Sequence, residues 1–210
     1  MVGETLDMNA STERYPRTVK CGGTDVEILR MTPRHGSEIA GFVETLSGHD
    51  LLFLRRDIGE PKVVEAWMSE IREGRVQSLV AYASGRLVGY TAVIVEKLSW
   101  SRHVGELRVL VGPSMRGKGL GRALIQECFM QALELGLEKL CAQMTVDQTA
   151  AIGVFEELGF RAEAVLTKHV KDREGRFHDL ALLSHDVGAV QSMLDAYGVS
   201  AAFDLHRQGA

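Results

Sequence analysis

The chain has 210 residues, 45% apolar and 25% charged, which is enough for one soluble domain with a sizeable core. Its net charge of −4 gives no sign of nucleic acid or an anionic membrane surface as a partner. No apolar run approaches the ~20 residues a membrane helix needs, and MVGETLDMNASTERYPRTVKC at the N-terminus lacks the apolar stretch of a secretory signal. Cys21, Cys128 and Cys141 are an odd count without CxxC spacing, and the later two sit in apolar runs. A reducing, cytoplasmic setting is expected, so the Asn9-Ala10-Ser11 sequon reads as chance.

Residues 1–22 are polar and aperiodic and are expected to form a loose, flexible arm. Val26 to Met31 reads as a short strand. Thr32-Pro33 then offers a helix cap followed by proline in the first turn, with Ile39, Phe42, Val43 and Leu46 at helical spacing. Ser47 to Glu60 is irregular. Pro61 opens a second helix with Val63, Val64, Trp67 and Ile71 on one face and Gly74 as its stop. VQSLVAYA, the turn Ser84-Gly85-Arg86 and LVGYTAVIVE form a hairpin pattern. A further strand spans about His103 to Val111. Leu120, Leu124, Cys128, Ala132 and Leu135 mark the buried face of a helix ending near Gly136.

LEKLCAQMTV reads as a strand, and Thr149 to Leu158 as a short helix stopped by Gly159. A last hairpin joins AEAVLTKHVK to FHDLALLSHDV through DREGR. Ala189 to Tyr197, in the extension 188–210, reads as one weak helix. This order predicts an α/β fold of α+β type: a single mixed, mostly antiparallel sheet flanked by helices, within one domain at 23–187.

Between the third expected strand of the sheet's centre and its helix lies GPSMRGKGLGRA, Gly112 to Ala123. Gly112, Gly117 and Lys118 fit the first positions of a Walker A loop, but the magnesium-binding Ser/Thr is replaced by Gly119. A helix N-terminus presents unpaired N–H groups and about half a positive charge. Here Arg116, Lys118 and Arg122 add to that charge with no acid nearby in sequence. An external anion would make this arrangement favourable, and the glycines would let it approach the backbone closely.

Val109-x-Val111-x-Pro113-x-x-Arg116-Gly117-x-Gly119-x-Gly121, followed later by Gln148-x-x-Ala151-x-x-x-Phe155-x-x-x-Gly159-Phe160, resembles the GNAT superfamily of acyl-CoA-dependent N-acetyltransferases. The first segment is similar to the family's R-x-x-G-x-G/A loop. The second is similar to its N-x-x-A-x-x-x-Y-x-x-x-G-F helix, with Gln for Asn and Phe for Tyr. In element order the resemblance runs from about Val26 to Val187.

The resemblance implies that backbone groups of Val109, Leu110 and Val111 pair with the pantetheine arm of acetyl-CoA. It implies that amides of Gly117, Lys118, Gly119, Leu120, Gly121 and Arg122 hold the pyrophosphate, with Arg116, Lys118 and Arg122 supplying charge and no metal. Gln148, Ala151 and Phe155 would line the cofactor arm. The implied reaction is direct attack of a primary amine, on a small molecule or a protein, on the thioester in a ternary complex.

A lysine-like amine is mostly protonated at neutral pH, so a general base helps, and Glu106 is the candidate. Arg108 alternates onto the same face as Glu106 and offers to pair with it. Phe155 cannot act as the acid that Tyr provides elsewhere in the family, and it also fits a helix core position. The alternative readings are a non-catalytic acyl-CoA-binding module and, against the Gly119 evidence, a P-loop hydrolase. His169, His178 and His185 have no metal-ligand spacing, and no metal is expected. Arg55-Arg56 reads as a solvated charge pair or a carboxylate contact at the acceptor side. The tail after Val187 offers a homodimer contact.

Overall fold

The computed structural model describes residues 14–52, 54 and 56–189. Among the described residues, eight strands are formed by Arg17–Cys21 (β1), Thr24–Arg30 (β2), Val76–Ala83 (β3), Arg86–Val95 (β4), Val104–Val111 (β5), Lys139–Thr145 (β6), Arg161–Lys171 (β7) and Phe177–Asp186 (β8). Four α-helices lie wholly within the described residues, at Gly36–Val43 (α1), Pro61–Arg72 (α2), Leu120–Glu134 (α3) and Thr149–Glu157 (α4). The strands make one sheet in the order β1-β2-β3-β4-β5-β6-β8-β7. Neighbours are antiparallel except β5 and β6, which run parallel because α3 carries the chain back across the sheet.

Alternation along the strands sends side chains to two cores. Val80, Tyr90, Ala92 and Leu110 face α1 and α2, where they meet Ile39, Phe42, Trp67 and Met68. Val93, Leu107, Leu140 and Ala142 face the other way, against Ile125, Cys128 and Ala132 of α3 and Phe155 of α4. Val26, Ile28, Leu79 and Ala81 continue that second layer beneath Leu120 and Leu124. The sheet is thus covered on both faces, as the periodicities require.

The sequence expectation for the N-terminus needs correction. The loose arm does not extend to residue 22: Arg17 to Cys21 pairs antiparallel with Ile28 to Thr24. The strand is held because Tyr15 and Cys21 are buried, and because the Tyr15 hydroxyl donates to Glu127 Oε2 of α3 at 2.9 Å. Arg17 adds an ion pair to Glu127 Oε1 at 2.6 Å. The sheet therefore starts at Arg17, ahead of the expected boundary at 23, while residues 1–13 lie outside the described residues. Thr32 is the N-cap and Pro33 the first residue, as the sequence suggests, but of a 3-10 turn, Pro33–His35, that leads directly into α1 at Gly36. The helix expected at Ala189 to Tyr197 falls almost wholly outside the described residues.

Candidate active site

β5 and β6 pair only from Val104–Lys139 to Leu107–Ala142. Beyond that point β5 continues to Val111 and β6 to Thr145 without bonding to each other. Their outer partners stay in register: Val109, Leu110 and Val111 with Thr91, Tyr90 and Gly89 of β4, and Gln143 to Thr145 with Leu182 to Leu180 of β8. Two stretches of backbone are therefore left with one side open in the middle of the sheet. An extended amide-bearing chain can satisfy such groups as an added strand would.

The opening leads straight into the glycine loop. Gly112 starts a short 3-10 turn at Pro113–Met115, and Met115 is buried as its anchor. Gly117 and Gly119 then adopt φ of +69° and +85°, values that favour glycine, and Gly119 is the left-handed N-cap of α3. A Cβ at either glycine would meet nothing within 4 Å, so their outer side is open. Among the described residues, the first turn of α3 holds no acid.

Acids do reach two of the three loop cations from elsewhere in the fold. Asp50 lies 2.8 Å from Arg116, and Glu157 of α4 pairs with Arg122. Arg116 Nε also makes a long contact, 3.4 Å, with the Val111 carbonyl. Burial favours the neutral Asp50 acid, but hydrogen bonds from Arg116 and Ser47 outweigh it and hold the carboxyl below its usual range. Lys118 has no ion-pair partner among the described residues. Its stem packs under the β1–β2 turn, where a Cβ at Gly22 would come within 2.8 Å of Lys118 Cβ and Cγ. That buttress belongs to the segment read as a loose arm, and only the Gly22-Gly23 pair hints at it.

Glu106 and Arg108 share the α1/α2 side of β5 and are bonded together. Arg108 donates from Nε at 3.0 Å and from a terminal nitrogen at 2.9 Å to the same oxygen, Glu106 Oε1. Both side chains are mostly shielded, 19% and 16% exposed. Gln148 caps the N-terminus of α4 and donates weakly to the His49 carbonyl at 3.4 Å, so it faces the turn Gly48–Leu51. Ala151 is partly buried against the core shared with Phe155. Phe155 is 7% exposed, and its ring stands edge-on to Phe160 at 5.0 Å.

The histidines of the last hairpin do not gather at one point. His185 packs edge-on to Phe129 and Phe160, and His178 bonds Asp172 at 2.9 Å. Arg56 pairs with Glu70 at 2.9 Å, while Arg55 lies outside the described residues.

Residues 36–160 match the family described as Acetyltransferase (GNAT) family. The chain belongs to this family of acyltransferases. The GNAT match runs from α1 to Phe160 and so includes the glycine loop and the α4 motif. Glucosamine 6-phosphate N-acetyltransferase of Trypanosoma brucei brucei is 36% identical over 83 residues, 38% of this chain and 54% of the relative. L-methionine sulfoximine/L-methionine sulfone acetyltransferase of Pseudomonas paraeruginosa is 28% identical over 130 residues, 61% of this chain and 75% of the relative. The chain thus spans about half the length of the first of these relatives and three quarters of the second.

Among solved structures, yncA of Salmonella typhimurium with acetyl-CoA superposes with a TM-score of 0.66 at 22% identity, covering 77% of this chain and 94% of that one. A phosphinothricin acetyltransferase of Sinorhizobium meliloti in complex with AcCoA gives 0.67 at 19% identity, over 78% and 89%. At these identities the likeness is one of GNAT fold alone.

Proposed function

We propose that the protein is an N-acetyltransferase that moves acetyl from acetyl-CoA to the primary amine of a small molecule. One observation carries this reading: the β5–β6 pairing stops at Leu107–Ala142, and the opened strand runs directly into a positive-φ glycine loop at an acid-free helix start. The residues present fit the cofactor. The open backbone edge suits the amides of a pantetheine arm, and the bare outer side of Gly117 and Gly119 suits a pyrophosphate.

In this reading, amides from Gly117 to Arg122 hold the phosphates, while Lys118, Arg116 and Arg122 neutralise them. The phosphates compete with Asp50 and Glu157 for the two arginines, whose side chains are 48% and 43% exposed, so each pair to be displaced contributes only about 0–1 kcal/mol. Val109, Leu110 and Val111 align the arm, and Gln148 contacts it from the start of α4. Bound there, acetyl-CoA supplies an activated thioester. Glu106 accepts the proton of the incoming ammonium, directly or through water, with Arg108 fixing its carboxylate. Phe155 contributes packing and no proton, so the thiolate, whose conjugate acid has a pKa near 8.5, departs without an acid at this position. The three thiols are free, which is compatible with a cytoplasmic setting.

The small-molecule preference draws on the relatives, whose names specify glucosamine 6-phosphate and methionine sulfoximine, and on a structural neighbour described as spermidine N-acetyltransferase with CoA and spermine. Thiol release from acetyl-CoA against a panel of amino sugars, amino acids, polyamines and lysine peptides tests the reading. Release with one class of small amine is the expected result. Coenzyme A binding with no release across the panel would instead favour a non-catalytic acyl-CoA-binding module.

A further inference from the structure

His49, Asp147 and His178 come from three distant parts of the chain and converge at one point. His49 sits in the turn Gly48–Leu51, Asp147 in the corner between β6 and α4, and His178 is the second residue of β8. One ligand-capable atom from each lies within 4.8 Å of the other two. His49 Nε2 is 3.3 Å from Asp147 Oδ2, and the two imidazole rings are 5.8 Å apart. We propose that His49, Asp147 and His178 bind one zinc-class divalent cation, independently of acetyl transfer.

The donor set selects the ion. Two imidazoles and one carboxylate suit zinc, nickel, cobalt or copper, whereas magnesium and calcium prefer all-oxygen sites. Three protein ligands leave a fourth position for water, as in open zinc sites. Bonds of 2.0–2.1 Å in tetrahedral geometry put donor atoms about 3.3 Å apart, so the present cluster must contract by roughly 1.5 Å at its widest. That contraction is easily made, because the His49 and Asp147 side chains are 41% and 54% exposed and can turn without disturbing the core.

A supporting shell is already built around the third ligand. The His178 Nε2 atom meets Asp172 Oδ2 at 2.9 Å, and the Asp172 side chain is only 6% exposed. Asp172 is itself held by the Arg176 backbone N–H and by Arg176 Nε, both at 2.8 Å. A carboxylate on one ring nitrogen orients the imidazole and leaves Nδ1 to the metal, the arrangement usual for ligating histidines. A simple surface His–Asp pair would need neither the second imidazole nor this shielded carboxylate. The turn carrying His49 is likewise fixed, by Ser47–Asp50 capping bonds and by the Asp50–Arg116 pair. A cation here would tie that turn to the β6–α4 corner that bears Gln148.

The test is direct binding of zinc to tag-free, chelator-treated protein, by calorimetry, with cobalt absorbance to report ligand geometry. One equivalent of zinc should bind, and His49→Ala, Asp147→Asn and His178→Ala should each weaken it at least tenfold. Asp172→Asn should weaken it about tenfold while keeping the stoichiometry. His169→Ala and His185→Ala should leave it unchanged, and magnesium and calcium should not compete. Because His178→Ala removes a partly buried ring, His178→Gln and the far-ultraviolet spectrum of each metal-free variant check folding. Zinc binding that persists in a folded His49→Ala/His178→Gln protein, or the absence of a one-equivalent site in the wild type, overturns the proposal. Neither result depends on acetyl transfer.

Discussion

Asp50, on the turn before α2, lies 2.8 Å from Arg116 of the glycine loop. An acid on one wall of the candidate site thus partly neutralises a cation that the phosphates would need. If the loop binds coenzyme A, Asp50→Asn should tighten binding by freeing Arg116, with a steeper loss of affinity as salt rises. The cost in stability should stay below about 1 kcal/mol, since the Arg116 side chain is 48% exposed and remains solvated without its partner. Calorimetry with coenzyme A at low and high ionic strength measures both effects. Weaker binding at low salt would mean that Asp50 positions Arg116 more than it competes for it.

Gly119 and Gly121 should respond oppositely to alanine. Gly119→Ala places a side chain at φ +85°, which costs about 1–2 kcal/mol although no atom obstructs it. Moving this left-handed N-cap should also weaken coenzyme A binding. Gly121 lies inside α3, and its added Cβ would make an ordinary 3.7 Å contact with Val111. Gly121→Ala should therefore raise stability by about 0.5–1 kcal/mol. Melting temperatures and coenzyme A affinities of the two variants separate backbone strain from ligand contact.

Glu106→Gln should keep coenzyme A affinity and lower turnover by about 10²-fold or more. The deficit should shrink as pH rises, because more of the acceptor amine is then already neutral. A pH–rate profile with an identified acceptor checks this. Wild-type turnover at neutral pH would remove Glu106 from the mechanism and leave its bond to Arg108 as a structural one.

Stability should fall at alkaline pH. Burial pushes the Cys128 thiol up to about 12, and burial also raises the phenols of Tyr15 and Tyr90, Tyr15 being further raised by the Glu127 charge. Unfolded, these groups titrate near 8.5 and 10. Above about pH 8.5 the unfolded chain therefore holds fewer protons than the folded one, and stability drops by up to about 1.4 kcal/mol per pH unit for each group. Their contribution is complete below the unfolded values and is lost as pH rises toward the folded ones. Denaturant titrations from pH 8 to 11 should show the decline, and Cys128→Ala should make it shallower between pH 9 and 11.

Much of this was legible in the chain because the signals are local. Glycines at 74, 85, 136 and 159 stop or turn elements at positive φ, as their positions in the sequence suggested. The glycine loop was readable for the same reason. The β1 strand was not, since RTVKC is short, lies at the sheet edge and buries only Cys21, with Val19 half-buried, too little for an alternating pattern to show. The acids opposite Arg116 and Arg122, and the meeting of His49 with Asp147 and His178, were equally hidden. Each depends on how separate segments pack, and no spacing within one segment encodes it.

The N-terminal hairpin has a consequence for solubility. β1 covers the open hydrogen-bonding side of β2, and its exposed Arg17 and Lys20 discourage a further strand from adding to it. A chain trimmed to begin at Gly23 would present β2 as a bare border, with the apolar Val26 and Ile28 behind it and Glu127 stripped of both Tyr15 and Arg17. Such a fragment keeps the glycine loop and β5–β6, yet it should self-associate through that border and precipitate where the longer chain stays dispersed.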